Sequence, residues 1–313
     1  MLHLITLENW SRAQIDALLD LARSIKTSPT AYENRLHRKV LVMIFEKPSL
    51  RTRVSFETGA CQMGGDAIYY DMSTSPLGAG KETIHDTVKT LSRYADLLMA
   101  RLFEHAHMEE MARLAGIPVI NGLTNFNHPC QILSDLLTIK EKRGSFQNCT
   151  LAYLGDAHNN VTHSLLYACS KMGIHIRVGC PQDKDAQPLP EVLEAAVQSG
   201  AQSGASVTVT HDAAAAAKGA DVVYTDSWMS YHIPKDALKS RIKLFRPFQV
   251  NADLMALAAP QAIFMNCLPA MRGYEQTAEV IDGPQSVVFD QAENRLHMQK
   301  AIMITLLDQA GAA

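Results

Sequence analysis

Short, almost unbroken apolar runs alternate along the chain with longer stretches whose apolar side chains recur every three or four positions. The runs at 39–45, 67–70, 96–101 and 117–122 lack a polar face, which predicts strands buried on both sides, as in a parallel sheet. A second series follows at 150–154, 174–179, 206–210, 221–226 and 262–266. Helical spacing occupies the intervals: 10–26, where Ile15, Leu18, Leu19, Leu21, Ala22 and Ile25 share a stripe behind Ser11 or Asn9 as cap, then 54–63, 83–94 and 132–142. Past the midpoint come helices at 162–171, 189–199, 211–218, 236–243 and 251–257. Val287 to Asp290 then leads into a long helix over 292–307. Strand and helix in alternation predict an α/β chain of two domains, each a mainly parallel sheet flanked by helices. The polar turn 144–148 separates them, giving a first domain over 1–143, a second over 149–285, and a C-terminal segment, 286–313, that packs back on the first.

Composition narrows the class without changing this picture. At 313 residues the chain exceeds the usual size of a single core, and 47% apolar content supplies two. A net charge of −3 with no massed basic block argues against a nucleic-acid surface or a polybasic membrane patch, and favours small-molecule ligands. No apolar run reaches membrane-spanning length and the start has no leader-like pattern, so a soluble, cytoplasmic protein is expected. The six cysteines, Cys61, Cys130, Cys149, Cys169, Cys180 and Cys267, form no C-x-x-C pair or His/Cys group, which argues against zinc and against a disulfide framework.

Chemistry concentrates where strands end. After the run that closes at Phe45, Lys47-Pro48 stops the strand, because proline fixes φ and lacks an N–H. Ser49 then caps a helix whose first turn carries Leu50, Arg51, Thr52 and Arg53. N–H groups at a helix start, two hydroxyls and two guanidiniums make a phosphate cradle. Arg101 ends the strand 96–101, and His128 and Gln131 stand one turn apart at the start of the helix over 132–142. In a parallel sheet all of these fall at the carboxyl edge, where ligands collect. The second series repeats the arrangement. Gly155 to Val161 is a polar turn without the G-x-G-x-x-G of dinucleotide sites, suited instead to an amino-acid head group. Asp226 ends a strand where a carboxylate can meet an amine. Cys267 has no neighbouring histidine and is not assigned as a nucleophile by spacing.

These segments resemble the aspartate/ornithine carbamoyltransferase family over essentially the whole length. Its S-x-R-T-R stands at Ser49 to Arg53, H-P-C-Q at His128 to Gln131, G-D-x-x-N-N at Gly155 to Asn160, D-x-W-x-S at Asp226 to Ser230, and C-L-P at Cys267 to Pro269. The resemblance implies a transfer of the carbamoyl group from carbamoyl phosphate to the δ-amine of L-ornithine, giving L-citrulline and phosphate. It implies no metal or organic cofactor, and a homotrimer with active sites at subunit interfaces. It also implies roles. Ser49, the Leu50 backbone, Arg51 and Thr52 hold the phosphate, and Arg101 and His128 hold the carbamoyl oxygen. Gln131 and the Leu268 carbonyl accept from the carbamoyl NH2, and Arg295 closes over the same ligand. Asn160, Asp226, Ser230 and Tyr231 bind ornithine, and Asp226 with Cys267, itself beside carbamoyl phosphate, orients the reacting amine. Arg101, His128, Asp226 and Cys267 form the catalytic set.

The chain departs from the family pattern in four places. Asn266 replaces the histidine of H-C-L-P, Tyr231-His232 replaces the M-G of S-M-G, Pro76-Leu77 stands in the loop usually written S-Q-x-G, and Met271 occupies a site that is often polar. The loop at 71–82 therefore lacks the glutamine that meets a neighbouring subunit's ligand, leaving Lys81 as the candidate substitute. Two alternatives stay open on these residues: transfer to a different amine, putrescine or an acylated ornithine, or a weakly catalytic homologue that binds carbamoyl phosphate.

Overall fold

A computed structural model describes residues 1–230 and 233–311. The chain forms two compact units, residues up to Leu137 together with those from Glu293 onward, and Thr138–Ala292.

In the first unit, α1 (Arg12–Thr27) starts at a capping box, Ser11 accepting from the Gln14 N–H, and buries the predicted stripe from Ile15 to Ile25. The order continues β1 (Val40–Phe45), α2 (Leu50–Gln62), β2 (Asp66–Asp71), α3 (Ile84–Tyr94), β3 (Leu97–Arg101), α4 (His105–Leu114), β4 (Val119–Leu123) and α5 (Pro129–Arg143), whose residues from Thr138 on belong to the second unit. The strands form one parallel sheet in the order β2-β1-β3-β4. Sequence periodicity missed α4. Only Met108 and Met111 are buried on it, and its N-cap, Glu104, makes no side-chain capping bond, so neither a stripe nor a start signal marks it.

The second unit contains β5 (Thr150–Leu154), α6 (Asn160–Met172), β6 (His175–Gly179), α7 (Pro190–Ser203), β7 (Val207–Thr210), α8 (Ala213–Ala217), β8 (Val222–Tyr224), α9 (Leu238–Phe245), α10 (Ala252–Leu257), β9 (Ile263–Met265) and α11 (Ala278–Ile281). Its sheet is also parallel, in the order β7-β6-β5-β8-β9.

The final helix, α12 (Val288–Gly311), begins four residues before the expected start. Val287 and Val288 are buried, and the Val287 N–H donates to Phe264 O at 3.0 Å, so the β-branched pair closes onto the sheet of the second unit and the helix starts at once. From Glu293 on, it packs on the first unit, as expected. Lys26 donates to Asn294 at 2.8 Å, Arg35 pairs with Asp308 at 2.6 Å, and Ser55 donates to Gln299. Gly59 lets α2 approach closely, because a Cβ there would meet Lys300 and Met303 side-chain carbons at 3.3 Å. Among the described residues no helix is long and apolar enough to cross a membrane.

Both sheets reverse direction of strand addition once. In the first unit the chain leaves β1 to one side for β2 and crosses to the other for β3; in the second, β6 and β7 lie on one side of β5, and β8 on the other. The crevice outside the carboxyl ends at such a reversal is where ligands bind in open α/β sheets. The end of β3 and the segments that follow β1, β4, β5, β8 and β9 carry most of the residues singled out above.

Candidate active site

Phe45 and Arg101, the last residues of β1 and β3, are register partners, and the Glu46 N–H donates to Arg101 O at 2.9 Å. The switch point therefore places the loop after β1 beside Arg101. Ser49 caps α2, its hydroxyl accepting from the Thr52 N–H at 3.2 Å; Leu50 and Arg51 begin the helix with N–H groups that helix geometry leaves without an intrahelical acceptor. The Leu50 side chain is 72% exposed, so its backbone N–H is the group it can offer an anion. Thr52 is buried and accepts from Arg295 Nη2 at 3.1 Å, while Arg295 Nη1 donates to Gln131 Oε1 at 2.6 Å. Gln131 in turn donates to Asp135 at 2.9 Å. In this structure Arg295 lies buried and couples the cradle helix to the start of α5, and the Gln131 carbonyl is engaged by it.

His128, Arg101 and Lys47 are buried around the same point. Burial, and then the charges of Arg295, Arg101, Lys47 and Arg51, hold the His128 imidazole well below its ordinary range, so the ring is neutral at physiological pH. Three guanidiniums and the Lys47 amine about one neutral histidine make surroundings that favour an anion. Lys47 was read in the sequence only as a strand stop. Its ammonium donates to Asn125 at 2.8 Å and lies 4.4 Å from the Phe103 ring centre, and burial followed by Arg101 lowers it to about 7 against the raising effects of Glu46 and Glu104. The signal was present in Lys47's place two residues before Ser49.

In the second unit the turn after β5 packs on the loop after β8. Gly155 has φ +127°, and a Cβ there would meet Trp228 Nε1 at 3.0 Å, so both conformation and space demand glycine. Asn159 caps α6 by accepting from the Thr162 N–H at 2.8 Å and donates to the Tyr153 hydroxyl at 2.8 Å, which leaves Asn160 as the first, half-buried residue of the helix. Asp226 is buried after β8, and the Cys267 thiol, from the loop after β9, donates to its carboxylate at 3.0 Å. Cys267 is half-buried, whereas Cys130, Cys149, Cys169 and Cys180 are buried and Cys61 is exposed. Ser230 lies half-buried on the Asp226 loop; Tyr231, and His232 beside it, lie outside the described residues.

Leu268 takes φ +57°, a left-handed conformation uncommon for its residue type. Asn266 holds it there. The fully buried amide accepts from the Leu268 N–H at 2.8 Å and donates to Gln276 at 3.1 Å, while its own N–H donates to Gln291 at 3.0 Å. The family's histidine position is thus occupied by a side chain that shapes the C-L-P loop without titrating. Met271, at the often-polar position, is exposed; its backbone donates the N–H to Glu275 at 3.0 Å and accepts at the carbonyl from the Tyr274 N–H at 3.1 Å and Gln276 Nε2 at 3.3 Å. Lys81 is exposed on its loop.

The site residues named from the sequence thus fall in two sets. Ser49, Leu50, Arg51, Thr52, Arg101, His128, Gln131 and Arg295 belong to the first unit, and Asn160, Asp226, Ser230, Cys267 and Leu268 to the second.

Residues 2–141 match the carbamoyl-phosphate-binding domain of the aspartate/ornithine carbamoyltransferases, and 147–306 match their Asp/Orn-binding domain. An ornithine carbamoyltransferase of Methanothermobacter thermautotrophicus is 52% identical over 93% of this chain and 94% of its own. The solved ornithine carbamoyltransferase of Pyrococcus furiosus superposes with a TM-score of 0.93 at 45% identity, covering 98% of this chain and 97% of its own. A solved N-acetyl-L-ornithine transcarbamylase is more distant, 32% identical with a TM-score of 0.87 over 98% of this chain and 100% of its own. On this agreement of both halves, the chain belongs to the aspartate/ornithine carbamoyltransferase family.

Proposed function

We propose that this protein transfers the carbamoyl group of carbamoyl phosphate to the δ-amine of L-ornithine, producing L-citrulline and phosphate. The observation that carries the reading is that one chain holds both a buried cationic cradle around neutral His128 and a carboxylate–thiol pair, Asp226 with Cys267, each at the carboxyl edge of a parallel sheet.

The roles follow from charge. Carbamoyl phosphate presents a dianionic phosphoryl group to Ser49, the Leu50 and Arg51 N–H groups, Arg51 and Thr52, with Arg295 behind Thr52. Its carbonyl oxygen takes hydrogen bonds from Arg101 and His128, and its NH2 donates to Gln131 and to the Leu268 carbonyl beside Cys267. Ornithine is held by Asn160, Ser230, Tyr231 and Asp226, which with Cys267 turns the neutral amine towards the carbonyl carbon. A C–N bond forms, the oxygen gains charge between Arg101 and His128, and the C–O bond to phosphate then breaks. The departing phosphate carries off the proton shed by the amine. An acyl phosphate is already activated, so positioning and charge stabilisation suffice, and the chemistry requires neither a metal nor an organic cofactor.

The domain over 1–143 takes the donor, the domain over 149–285 the amine, and the segment 286–313 returns to the first. We place the enzyme in the cytoplasm as a homotrimer. Leu50 and Val54, one turn apart on α2, are 72% and 47% exposed, and Ile68 on the edge strand β2 is 53% exposed, an apolar face suited to a second subunit. Exposed Lys81 would then meet a neighbour's carbamoyl phosphate. A solution mass of three chains by light scattering is expected; a monomer at assay concentration would refute this assembly.

Purified protein should release phosphate and form citrulline in equal amounts from carbamoyl phosphate and ornithine. Phosphate release without citrulline would defeat the reading. The neutral ring makes a second expectation specific. His128→Gln should lower kcat by about 10²–10³-fold, as for a lost donor to a developing oxyanion. Its acid limb of kcat/KM should stay where the wild type has it, because that limb reports deprotonation of an amine with a pKa of about 10. A displaced limb would show instead that the ring titrates.

A further inference from the structure

Three loops carry the residues assigned to the amine: 155–160 after β5, 225–230 after β8 and 266–272 after β9. The Gly155 N–H still donates to Gly179 O at 3.0 Å and the Thr225 N–H to Met265 O at 3.3 Å, and beyond these first residues strand hydrogen bonds no longer fix the loops. Two side chains from outside these loops tie them together, and both act on one residue, Trp228, which lies midway between Asp226 and Ser230. Arg241, on α9, donates through Nε to the Trp228 carbonyl at 2.5 Å and through Nη2 to the Asp156 carboxylate. Asp156 accepts the His158 N–H at 3.0 Å with its other oxygen, which fixes the turn leading to Asn160. Glu275 accepts the Trp228 N–H at 3.1 Å on one oxygen and the Met271 N–H at 3.0 Å on the other, bridging to the C-L-P loop.

The indole locks this arrangement from the side. Trp228 is buried with its ring 5.8 Å from Phe245, and the Arg241 guanidinium lies 4.8 Å from the centre of the same Phe245 ring. Burial pushes the Asp156 carboxyl up to about 6 even with Arg241 lowering it, so the pair is retained at an electrostatic cost. Such a cost is understandable where the pair holds geometry rather than stability.

We infer that Arg241 and Glu275 are positioning residues that clamp both backbone groups of Trp228, set the separation of Asp226 from Ser230, and thereby fix the chain length of the amine that the enzyme accepts. The inference rests on the ornithine reading above. Asp226 meets the reacting amine and Ser230 the other end of the amino acid, so a loop able to stretch between them loses its measure of the methylenes. Lysine cannot replace Arg241, since one ammonium cannot serve both the Trp228 carbonyl and Asp156 in the planar fork that a guanidinium provides. Glutamine at 275 keeps one acceptor and turns a donor towards the second N–H.

The test is kcat/KM for L-ornithine, L-lysine and L-2,4-diaminobutyrate in the wild type and in Arg241→Lys and Glu275→Gln. One methylene in a pocket is worth about 10- to 200-fold in discrimination, and a loosened loop should surrender about 10-fold of the ornithine-to-lysine ratio. The change should come through KM for the amine, with KM for carbamoyl phosphate unmoved. An unaltered length ratio in folded variants, or a rise in KM for carbamoyl phosphate as large as that for the amine, would overturn the clamp. The double variant Asp156→Asn/Arg241→Met leaves no buried charge uncompensated, and so guards against simple unfolding. It must show the same relaxed ratio, and a wild-type ratio there would also overturn the inference. A wild type that prefers another amine would defeat the ornithine reading separately, while the same ratio taken on the preferred amine still reads the clamp.

Discussion

Asp226→Asn is expected to lower kcat/KM for ornithine by about 30- to 1000-fold, the equivalent of about 2–4 kcal/mol for removing one partner of a buried charged contact. Asp226 is buried beyond β8, and the Cys267 thiol donates to its carboxylate at 3.0 Å. An anion in that place accepts from the thiol and attracts the amine. Asparagine is uncharged, has one acceptor oxygen and turns an NH2 towards one of the donors that the carboxylate serves, the Cys267 thiol or the amine, so the amine is both less attracted and misdirected. Carbamoyl phosphate is held in this account mainly by residues of the other unit, with the Leu268 backbone carbonyl, none of which the substitution alters, and its affinity by calorimetry should be unchanged. A variant that keeps wild-type kcat/KM for ornithine, or that loses donor binding instead, would contradict the assignment of Asp226 to the amine.

Arg101→Gln should reduce kcat by about 10²–10³-fold, the loss found when one preorganised donor to a developing oxyanion is removed. The physical reason is differential. In the ground state the carbamoyl oxygen carries a partial charge, and in the tetrahedral intermediate it approaches a full one, so a guanidinium beside it is worth most at the moment of attack. In the proposed arrangement the carbamoyl oxygen lies between buried Arg101 and buried, neutral His128, which would make Arg101 the formal charge at that oxygen. KM for ornithine should be retained, since Arg101 ends β3 in the first unit and the amine contacts are elsewhere. A loss of donor affinity with kcat unchanged would mean that Arg101 binds ground state and transition state alike and adds nothing specific to the transition state. Because only the side chain changes, the strand pairing of Arg101 with Phe45 should persist, and thermal unfolding of the variant checks this.

The cradle was legible because its parts are contiguous. Pro48 ends a strand, Ser49 caps a helix, and Arg51 and Thr52 fill the first turn, so one stretch of chain states both conformation and charge. The two sheets were legible from apolar runs of strand length. The α4 helix was not, having two buried methionines in place of a stripe, and the start of α12 was hidden by a valine pair, whose β-branching is no signal of a helix start. The supports of the site were hidden for a different reason. Arg241 meets Asp156 across 85 positions, Lys47 meets Asn125 across 78, and Glu275 meets Trp228 across 47. No local spacing encodes such contacts; they exist only once the strands have set the loops side by side. Asn266 shows the same limit in another form. From sequence it marked a lost titratable group, and the structure adds the function of holding Leu268 in a left-handed turn.

The central claim is the identity of the acceptor, and one competition measures it. Carbamoyl phosphate labelled with ¹³C, in limiting amount, is offered with equimolar L-ornithine, putrescine and N²-acetyl-L-ornithine, and the ureido carbons are resolved by NMR. The account predicts that the label collects in citrulline. Label collecting in carbamoylputrescine or N²-acetylcitrulline would contradict it.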